Sequence, residues 1–471
     1  MIGKKKNPQP TLFIPGSMED YIPKDHILKK VDRVLDLSWL REEVADLYCE
    51  DNGRPCIDPE AAVRLMLAGF FHGIVHDRKL MREAQVNIAI RWFAGYTLEE
   101  ALPNHSTLTR IRQRWGAERF RRIFEKTVAA CAAAGLVNGE TVHIDATLIR
   151  ADVSWESLSS AWADAAMSEN AEEEKESALP KPGRPKSRNK KPKKRSTTDP
   201  DATLTTNKKG FHMEPCYKQH TAVDDEAGII VDIHVTTGET SEGELLMETI
   251  ERIETTTGKP IERVTADAGY AHSRNYSSCE ERGIDAVIPP QRSSNTKKSM
   301  PSSRFKYDGK NQRVRCPAGR YMTSSGKHEK GLYFHMSARV CSKCALKTAC
   351  LPASSKSRSI LIVNGYEALL RARRRRACWD EETRETYNRH RWLVEGAHGE
   401  AKTQHGLRRA ARRGMENVSI QAYLTAVAMN LKKLAAFLSR ISRLTAPFTR
   451  RKPAVFATFS FFSFRRLTPV C

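Results

Sequence analysis

Apolar positions recur at helical spacing through residues 24 to about 136, and the period then changes to two. Within the first region, "DPEAAVRLMLAGFFHGI" places Asp58 as an N-cap and Pro59 at the first helical position. Farther on, "PNHSTLTRIRQRWGAERFRRIFEKTVAACAAAGL" predicts a helix capped by Ser106, with Leu108, Ile111, Trp115, Phe120 and Ile123 as its buried stripe. Arg110, Arg112, Arg114, Arg121 and Arg122 fall on the other side. Two readings of these helices stand side by side: a helix-turn-helix-like DNA-binding module, or a bundle with a solvated basic face.

The first convincing strand is "TVHIDATLIRADV". Val142, Ile144, Ala146 and Leu148 alternate with Thr141, His143, Asp145 and Thr147, which puts Asp145 on the polar set. "CYKQHTAVDDEAGIIVDIHVTTG" predicts a hairpin turning at Gly228. There follow a helix in "SEGELLMETIERIETTT", a strand ending at Asp267 with a turn at Gly269, a helix through "NYSSCEERG", and the strand "IDAVIPP". The last ordered pattern, "SIQAYLTAVAMNLKKLAAFLSRI", is an amphipathic helix with Ile420, Leu424, Val427, Leu431 and Leu434 on one face.

These patterns divide the chain into seven stretches: a helical N-terminal region (1–136), a first strand region (137–165), a linker (166–210), the rest of an α/β core (211–289), a cysteine-bearing insertion (290–385), two helices (386–445) and an unassigned tail (446–471). There is no internal repeat. The linker carries "KPGRPKSRNKKPKKR", with nine Lys or Arg among 15 residues and no acid, so it is expected to be disordered alone. Its "PGRPK" matches the core of an AT-hook, which would lay Arg184 in a narrow minor groove; a basic stretch that only neutralises phosphates is the simpler alternative.

Charge adds a partner. A formal net charge of +22 over 471 residues favours a polyanion such as nucleic acid. No run of about 18 apolar residues exists, which sets membrane insertion aside, and the basic N-terminus lacks the apolar core of a secretory signal. Eleven scattered cysteines do not form a disulfide framework, so a reducing cytoplasm is expected. Cys341 and Cys344 form a C-x2-C knuckle, with Cys350 after it and Cys316 before it. Four thiolates at that spacing suit a tetrahedral structural zinc, with His328 or His335 as substitutes for one of them. Reduced cysteines without a metal are the alternative.

The stretch "RHRWLVEGAHGEAKTQHGLRRAARR" sets two glutamates into one of the most basic parts of the chain. On a regular helix Arg391, Glu395, His398 and Lys402 form one stripe, while Glu400 points about 140° away. Alone, that stripe is an ordinary salt-bridge ladder. Asp145 and Asp267 change its meaning. In an RNase H-like sheet the first and fourth strands are neighbours and the late helix packs beside them, so Asp145, Asp267 and Glu395 would converge. Three converging carboxylates repel one another unless hard cations such as Mg²⁺ or Mn²⁺ are bound among them.

With those residues in place the chain resembles bacterial insertion-sequence transposases of the DDE class. "IPKDHILKKVDRVLDLSWL", "GRPCIDPEAAVRLMLAGFFHGI" and "RWFAGYTLEEALPNHSTLTRIR" resemble the InsH-type N-terminal domain, leading into "VHIDATLIRADVS". "STTDPDA", "YKQHTAVDDEAGII", "TADAGYAHSRN" and "RHRWLVEGAHGEAKTQHGLRRAARRG" resemble the DDE domain. The resemblance implies an α/β chain with an RNase H-like catalytic domain after an all-α N-terminal domain. It implies Asp145, Asp267 and Glu395 as the Mg²⁺- or Mn²⁺-binding triad. Of the family's Tyr-Arg-Glu-Lys signature, Arg391, Glu395 and Lys402 keep the spacing, whereas three residues rather than two separate Tyr387 from Arg391. These residues would contact DNA near the cut. The implied partners are the element's terminal inverted repeats and target DNA, with two or more copies of the chain assembled on them. A different class of protein, a non-catalytic zinc-containing DNA-binding protein descended from a transposase, would bind DNA without metal and tolerate Asp145→Ala.

Overall fold

A computed structural model of the chain describes residues 16–49, 56–154, 157–160, 194–205, 213–291, 300–352 and 354–445. Arg184, most of the basic linker and the tail after residue 445 lie outside the described residues.

The N-terminal third folds as helices α1 (Ile27–Asp32), α2 (Leu40–Glu43), α3 (Pro59–Phe71), α4 (Asp77–Val86), α5 (Ile88–Phe93) and α6 (His105–Ala133). Asp58 caps α3, its Oδ1 accepting the N–H groups of Glu60 at 2.7 Å and Ala61 at 3.2 Å. Ser106 does not cap α6. Asn104 does, accepting the Ser106 N–H at 2.9 Å, because Asn104 is the residue left in extended backbone. The helix also breaks at Gly116, where φ is 67°, and Glu416 from a distant helix accepts the N–H of Ala117 at 3.2 Å to cap the second half. The predicted stripe is buried as expected. Arg112, assigned to the solvated side, is 3% exposed and grips Asp77 of α4 with two hydrogen bonds of 2.7 and 2.8 Å.

The central sheet runs through β1 (Thr141–Arg150), β2 (Leu158–Ser160), β3 (Lys194–Ser196), β4 (Thr203–Thr205), β5 (Glu214–Asp224), β6 (Ile230–Thr237), β7 (Arg263–Ala266) and β8 (Asp285–Val287). In space the order is β2-β3-β4-β5-β1-β7-β8. Strand β5 is antiparallel to β1, and its other edge is shared: β4 takes Glu214–Cys216 and β6 takes Tyr217–Val223. Strands β1, β7 and β8 are mutually parallel. An antiparallel β6-β5-β1 hairpin set continued by two parallel strands is the RNase H-like arrangement. The linker expected to be disordered through residue 210 is therefore ordered from 194 to 205, where "STTDPDA" finds partners. Asp199 in that segment is 1% exposed, accepts the Tyr217 hydroxyl, and also accepts the Gly414 N–H at 3.3 Å.

Helices α7 (Leu246–Thr257) and α8 (Ser273–Glu281) follow β6 and β7. A second, five-stranded antiparallel sheet occupies β9 (Lys306–Asp308), β10 (Arg313–Arg315), β11 (Tyr321–His328), β12 (Gly331–His335) and β13 (Ser359–Val363). The cysteine-bearing insertion is thus a β unit with its own small core of Phe305, Val314, Met322, Phe334, Ile360 and Ile362. It ends near Val363 rather than 385, because α9 (Tyr366–Ala377) packs back on α8. The chain closes with α10 (Glu381–His390), α11 (Gly396–Gln404) and α12 (Met415–Thr445), with a π-helical turn at Arg391–Glu395 joining α10 to α11.

One hydrophobic core joins the N-terminal helices to the sheet. It runs from Leu28 and Leu65 through Phe120 and Val128 to Val142, Ile233, Val427 and Leu431. Helix α12 lies between the two layers: Phe124 of α6 stacks on Tyr423, with ring centres 6.1 Å apart. On its other side the buried Asn430 amide accepts from the Ile230 N–H at 2.9 Å and donates to the Ile230 carbonyl at 2.8 Å. The arginine-rich helix α6 thus shares one core with the central sheet.

Candidate active site

Register brings the first two acids together. Ile144 of β1 pairs with Ala266 of β7, so the next residue on each strand, Asp145 and Asp267, emerges at the same level of the sheet. Asp145 lies in mid-strand, its Oδ1 accepting the Ala146 N–H at 2.8 Å. Asp267 follows β7 and caps the short turn Ala268–Tyr270, its Oδ1 accepting the Gly269 N–H at 2.7 Å. Burial pushes the Asp145 carboxyl up to about 7. The Ala146 N–H opposes that rise, and the negative charges of Asp267, Glu242 and Glu395 add to it.

Glu395 stands on the π-helical turn, 61% exposed, with Oε2 3.5 Å from Nε of Arg391. The extra residue in that turn shifts the helical phase, so the expected single stripe divides. Its C-terminal half faces the sheet. His398 is buried, its Nε2 3.0 Å from Oγ1 of Thr221, the cross-strand partner of Asp145. Burial, Lys402 and His390 hold the His398 imidazole down at about 3, so it is neutral, and its 3.8 Å approach to Asp145 is a contact rather than a hydrogen bond. Lys402 donates to Oγ1 of Thr147 at 2.6 Å, two residues along β1 from Asp145; the sequence had it free for a phosphate. Arg391 is exposed, as is the neighbouring Trp392 at 81%.

Beneath the site, buried polar groups tie α10 to the sheet. Thr265 Oγ1 lies 2.6 Å from Nδ1 of His143 and 3.0 Å from Nδ1 of His390, and Asp225 Oδ1 lies 2.7 Å from Nε2 of His143. Half-buried Tyr387 stacks on His390 at a ring separation of 5.9 Å and an interplanar angle of 7°. Burial raises the pKa of its hydroxyl, as do the charges of Asp267, Asp145 and Glu395, against the pull of Arg376. All three acids of the expected triad are therefore felt at Tyr387.

The sequence reading missed Glu242 and Tyr270 and gave Gly269 only as a turn. Glu242 opens the turn before α7, held by Lys218 at 3.1 Å. A Cβ placed on Gly269 would lie 2.6 Å from Glu242 Oε2 and 2.9 Å from Asp267 Oδ1, so both oxygens border one small space. Tyr270 is 1% exposed, its hydroxyl is unpartnered, and its pKa is raised well above the usual tyrosine value by burial and by Asp145, Glu242 and Asp267. The only sequence signal was an acid at a helix start after the third long strand. A bordered pocket of carboxylate oxygens with an orphaned hydroxyl is the donor chemistry that suits a hard divalent cation. Among the described residues no three His, Cys, Asp or Glu side chains already stand in the arrangement of a filled metal site. Glu395 in particular faces solvent.

In the second sheet, Cys316, Cys341, Cys344 and Cys350 line one cavity of about 630 Å³, and all four are free thiols. Burial raises the Cys350 thiol against the pull of Arg358, and Cys341, Cys344 and Cys316 raise it further. His335 is 3.0 Å from Ser359, His328 packs on Tyr333, and neither lines that cavity.

An RNase H-like sheet with carboxylates gathered where the middle of β1 meets the end of β7 defines the class of protein. The chain belongs to the transposase DDE domain family, which matches residues 184–431, more than half of it. A second transposase domain (DUF772) matches residues 16–114. Asp145 lies between the two matched stretches, whereas Asp267 and Glu395 lie within the second. No curated protein matches. Among solved structures the chain is similar to a piggyBac transposase synaptic complex with hairpin DNA, at 10% identity and a TM-score of 0.30, covering 90% of this chain and 82% of that one. It is also similar to a Mos1 transposase paired-end complex, at 10% identity and a TM-score of 0.17, covering 78% and 86%. A Mos1 mariner paired-end complex with Mn matches at 11% identity and a TM-score of 0.16, covering 79% and 86%. The family assignment rests on the two domain matches. Among the described residues no helix is long and apolar enough to cross a membrane.

Proposed function

We propose that this transposase binds the terminal inverted repeats of its own element, cleaves their 3′ ends, and joins the resulting hydroxyls to target DNA. Asp145, Asp267 and Glu395 are the acids that serve the reaction. One observation carries this reading: the register of β1 and β7 sets Asp145 beside Asp267, and the turn that bears Glu395 packs against β1 and β5. A divalent cation bound there, Mg²⁺ or Mn²⁺, would activate a water or a 3′-hydroxyl and stabilise the leaving oxygen.

The protein's own groups position the DNA. Arg391 is exposed beside Glu395 and suits a phosphate near the cut. Lys402 keeps two ammonium protons beyond its bond to Thr147 for the same strand. Tyr387, stacked on His390, and the open face of Trp392 offer aromatic surface to an unpaired end base. Because Glu395 sits on a π-helical turn, a one-residue change in local winding would carry its carboxylate toward Asp145 without unfolding either flanking helix. Arg184 and the basic linker supply sequence-tolerant affinity. Two copies acting together would cut the two ends, and a zinc ion among the four cysteines would fasten the second sheet.

The test is incubation with the flanking terminal repeats, a target plasmid and Mg²⁺, comparing wild type with Glu395→Gln. Cut ends and strand-transfer products from wild type alone are expected. Equal cutting by both proteins removes Glu395 from the chemistry, and cutting without joining reduces the protein to a nuclease.

A further inference from the structure

The space beside Gly269 has two carboxylate walls, and only one belongs to the expected triad. Asp267 Oδ1 forms one side. Glu242 Oε2, from the turn that precedes α7, forms the other. Lys218 of β5 holds the second oxygen of Glu242 at 3.1 Å and also donates to the Thr240 carbonyl at 2.8 Å, so this side chain is fixed rather than adrift. Fixing a carboxylate by a cation on one oxygen leaves the other aimed into the gap.

An independent observation marks that gap as a ligand space. Tyr270 is 1% exposed and its hydroxyl has neither donor nor acceptor partner, although Asp145, Glu242 and Asp267 all act on it electrostatically. A buried hydroxyl left unpaired is destabilising. Such a cost is ordinarily offset by something that occupies the space when the protein works. An ion with its bound water offers both a positive centre for the carboxylates and a hydrogen-bond partner for the hydroxyl.

Resting on the reading that Asp145 and Asp267 bind a divalent cation, we propose that Glu242 is a fourth carboxylate of that centre, beside Asp267 at the space bounded by Gly269, and that the Tyr270 hydroxyl finds its hydrogen-bond partner there when the ion is bound. Glu242 then stands beside Asp267 before DNA arrives, whereas Glu395 approaches from the helix, where it is 61% exposed.

Mn²⁺ binding by calorimetry on the full chain without DNA tests this, using wild type, Glu242→Gln, Tyr270→Phe and Asp145→Asn. The amide of Glu242→Gln still accepts from Lys218, and Tyr270→Phe removes a hydroxyl that bonds to nothing in the protein. Each fold is checked by its thermal midpoint in EDTA. Glu242→Gln is expected to weaken Mn²⁺ binding about tenfold or more, and Tyr270→Phe several-fold. Wild-type affinity in Glu242→Gln together with a loss in Asp145→Asn overturns the role of Glu242 and leaves the triad standing. Unchanged affinity in all three variants overturns the metal centre itself. If Glu242→Gln does not fold, Tyr270→Phe decides, and undiminished affinity there overturns the proposal.

Discussion

Arg412, in the basic segment that follows α11, reaches the buried carboxylate of Asp77 in the N-terminal helices at 2.7 Å. Arg112 holds the same carboxylate through two hydrogen bonds, so one acid from the first domain pairs with two cations, one of them from the other end of the chain. The N-terminal helices and the segment after α11 are joined by charge as well as by a common core.

The joint can be broken by one substitution. Asp77→Asn would leave the buried Arg112 and the partly exposed Arg412 without a counter-charge and is expected to destabilise the protein by about 3–5 kcal/mol. Burial pushes the Asp77 carboxyl up, but Arg112 and Arg412 outweigh it and hold the group below its ordinary value. The stabilisation is therefore present above the unfolded-state pKa and lost as pH falls through the lower folded value. Urea unfolding followed by tryptophan fluorescence measures the loss, which is expected at neutral pH and should shrink in acid.

Glu400, the second acid of the basic helix, is structural. It bonds to Lys432 of α12 at 2.6 Å and lies 3.4 Å from His405, which ties α11 to the C-terminal helix. The His405 contact holds its carboxyl down at about 2, with burial opposing and Lys432 assisting. The sign follows from the depressed value: stability is complete above the unfolded pKa of about 4.3 and falls as pH drops from there toward 2. Glu400→Gln should lower stability at pH 7 and flatten that acid limb, leaving variant and wild type nearly equal near pH 2. Melting midpoints across pH 2–7 distinguish this from a pH-independent loss.

Gly269 is needed for space rather than for its backbone freedom. A methyl group there would collide with Glu242 Oε2 and Asp267 Oδ1. Gly269→Ala is expected to reduce terminal-repeat cleavage by about 10²-fold, the scale of a 1 Å misplacement at a reacting centre. Its melting temperature should move little. Gel quantification of cut ends checks the first statement and calorimetry the second, and wild-type cleavage would refute the tight packing of the two acids.

Zinc in the second sheet can be read independently of activity. The purified chain is expected to hold one zinc equivalent, released by a thiol-modifying reagent and measured with a chromophoric chelator. Cys344→Ser should lose the metal and loosen β9–β13 to proteolysis while sparing the central sheet, whose core is separate. A metal-free wild type, or a Cys344→Ser that keeps its zinc, refutes the site.

Local pattern carried much of this protein. The period-two alternation around Asp145, the Gly228 hairpin, the Asp58 cap and the face of α12 follow from chain-neighbour geometry, which any fold containing those segments must respect. So does the order of strands and helices that implied an RNase H-like sheet. Positions that depend on distant partners were illegible. Arg112 reads as a surface cation until Asp77 and Arg412 close around it. Residues 194–205 read as linker until the free end of β5 pairs with them. Glu242 was invisible for the same reason, since its proximity to Asp267 is set by how β6 and β7 return to one side of the sheet, not by any spacing between them. Periodicity reports which face of an element is buried; which charges then meet across that face is decided by long-range packing and the desolvation it imposes.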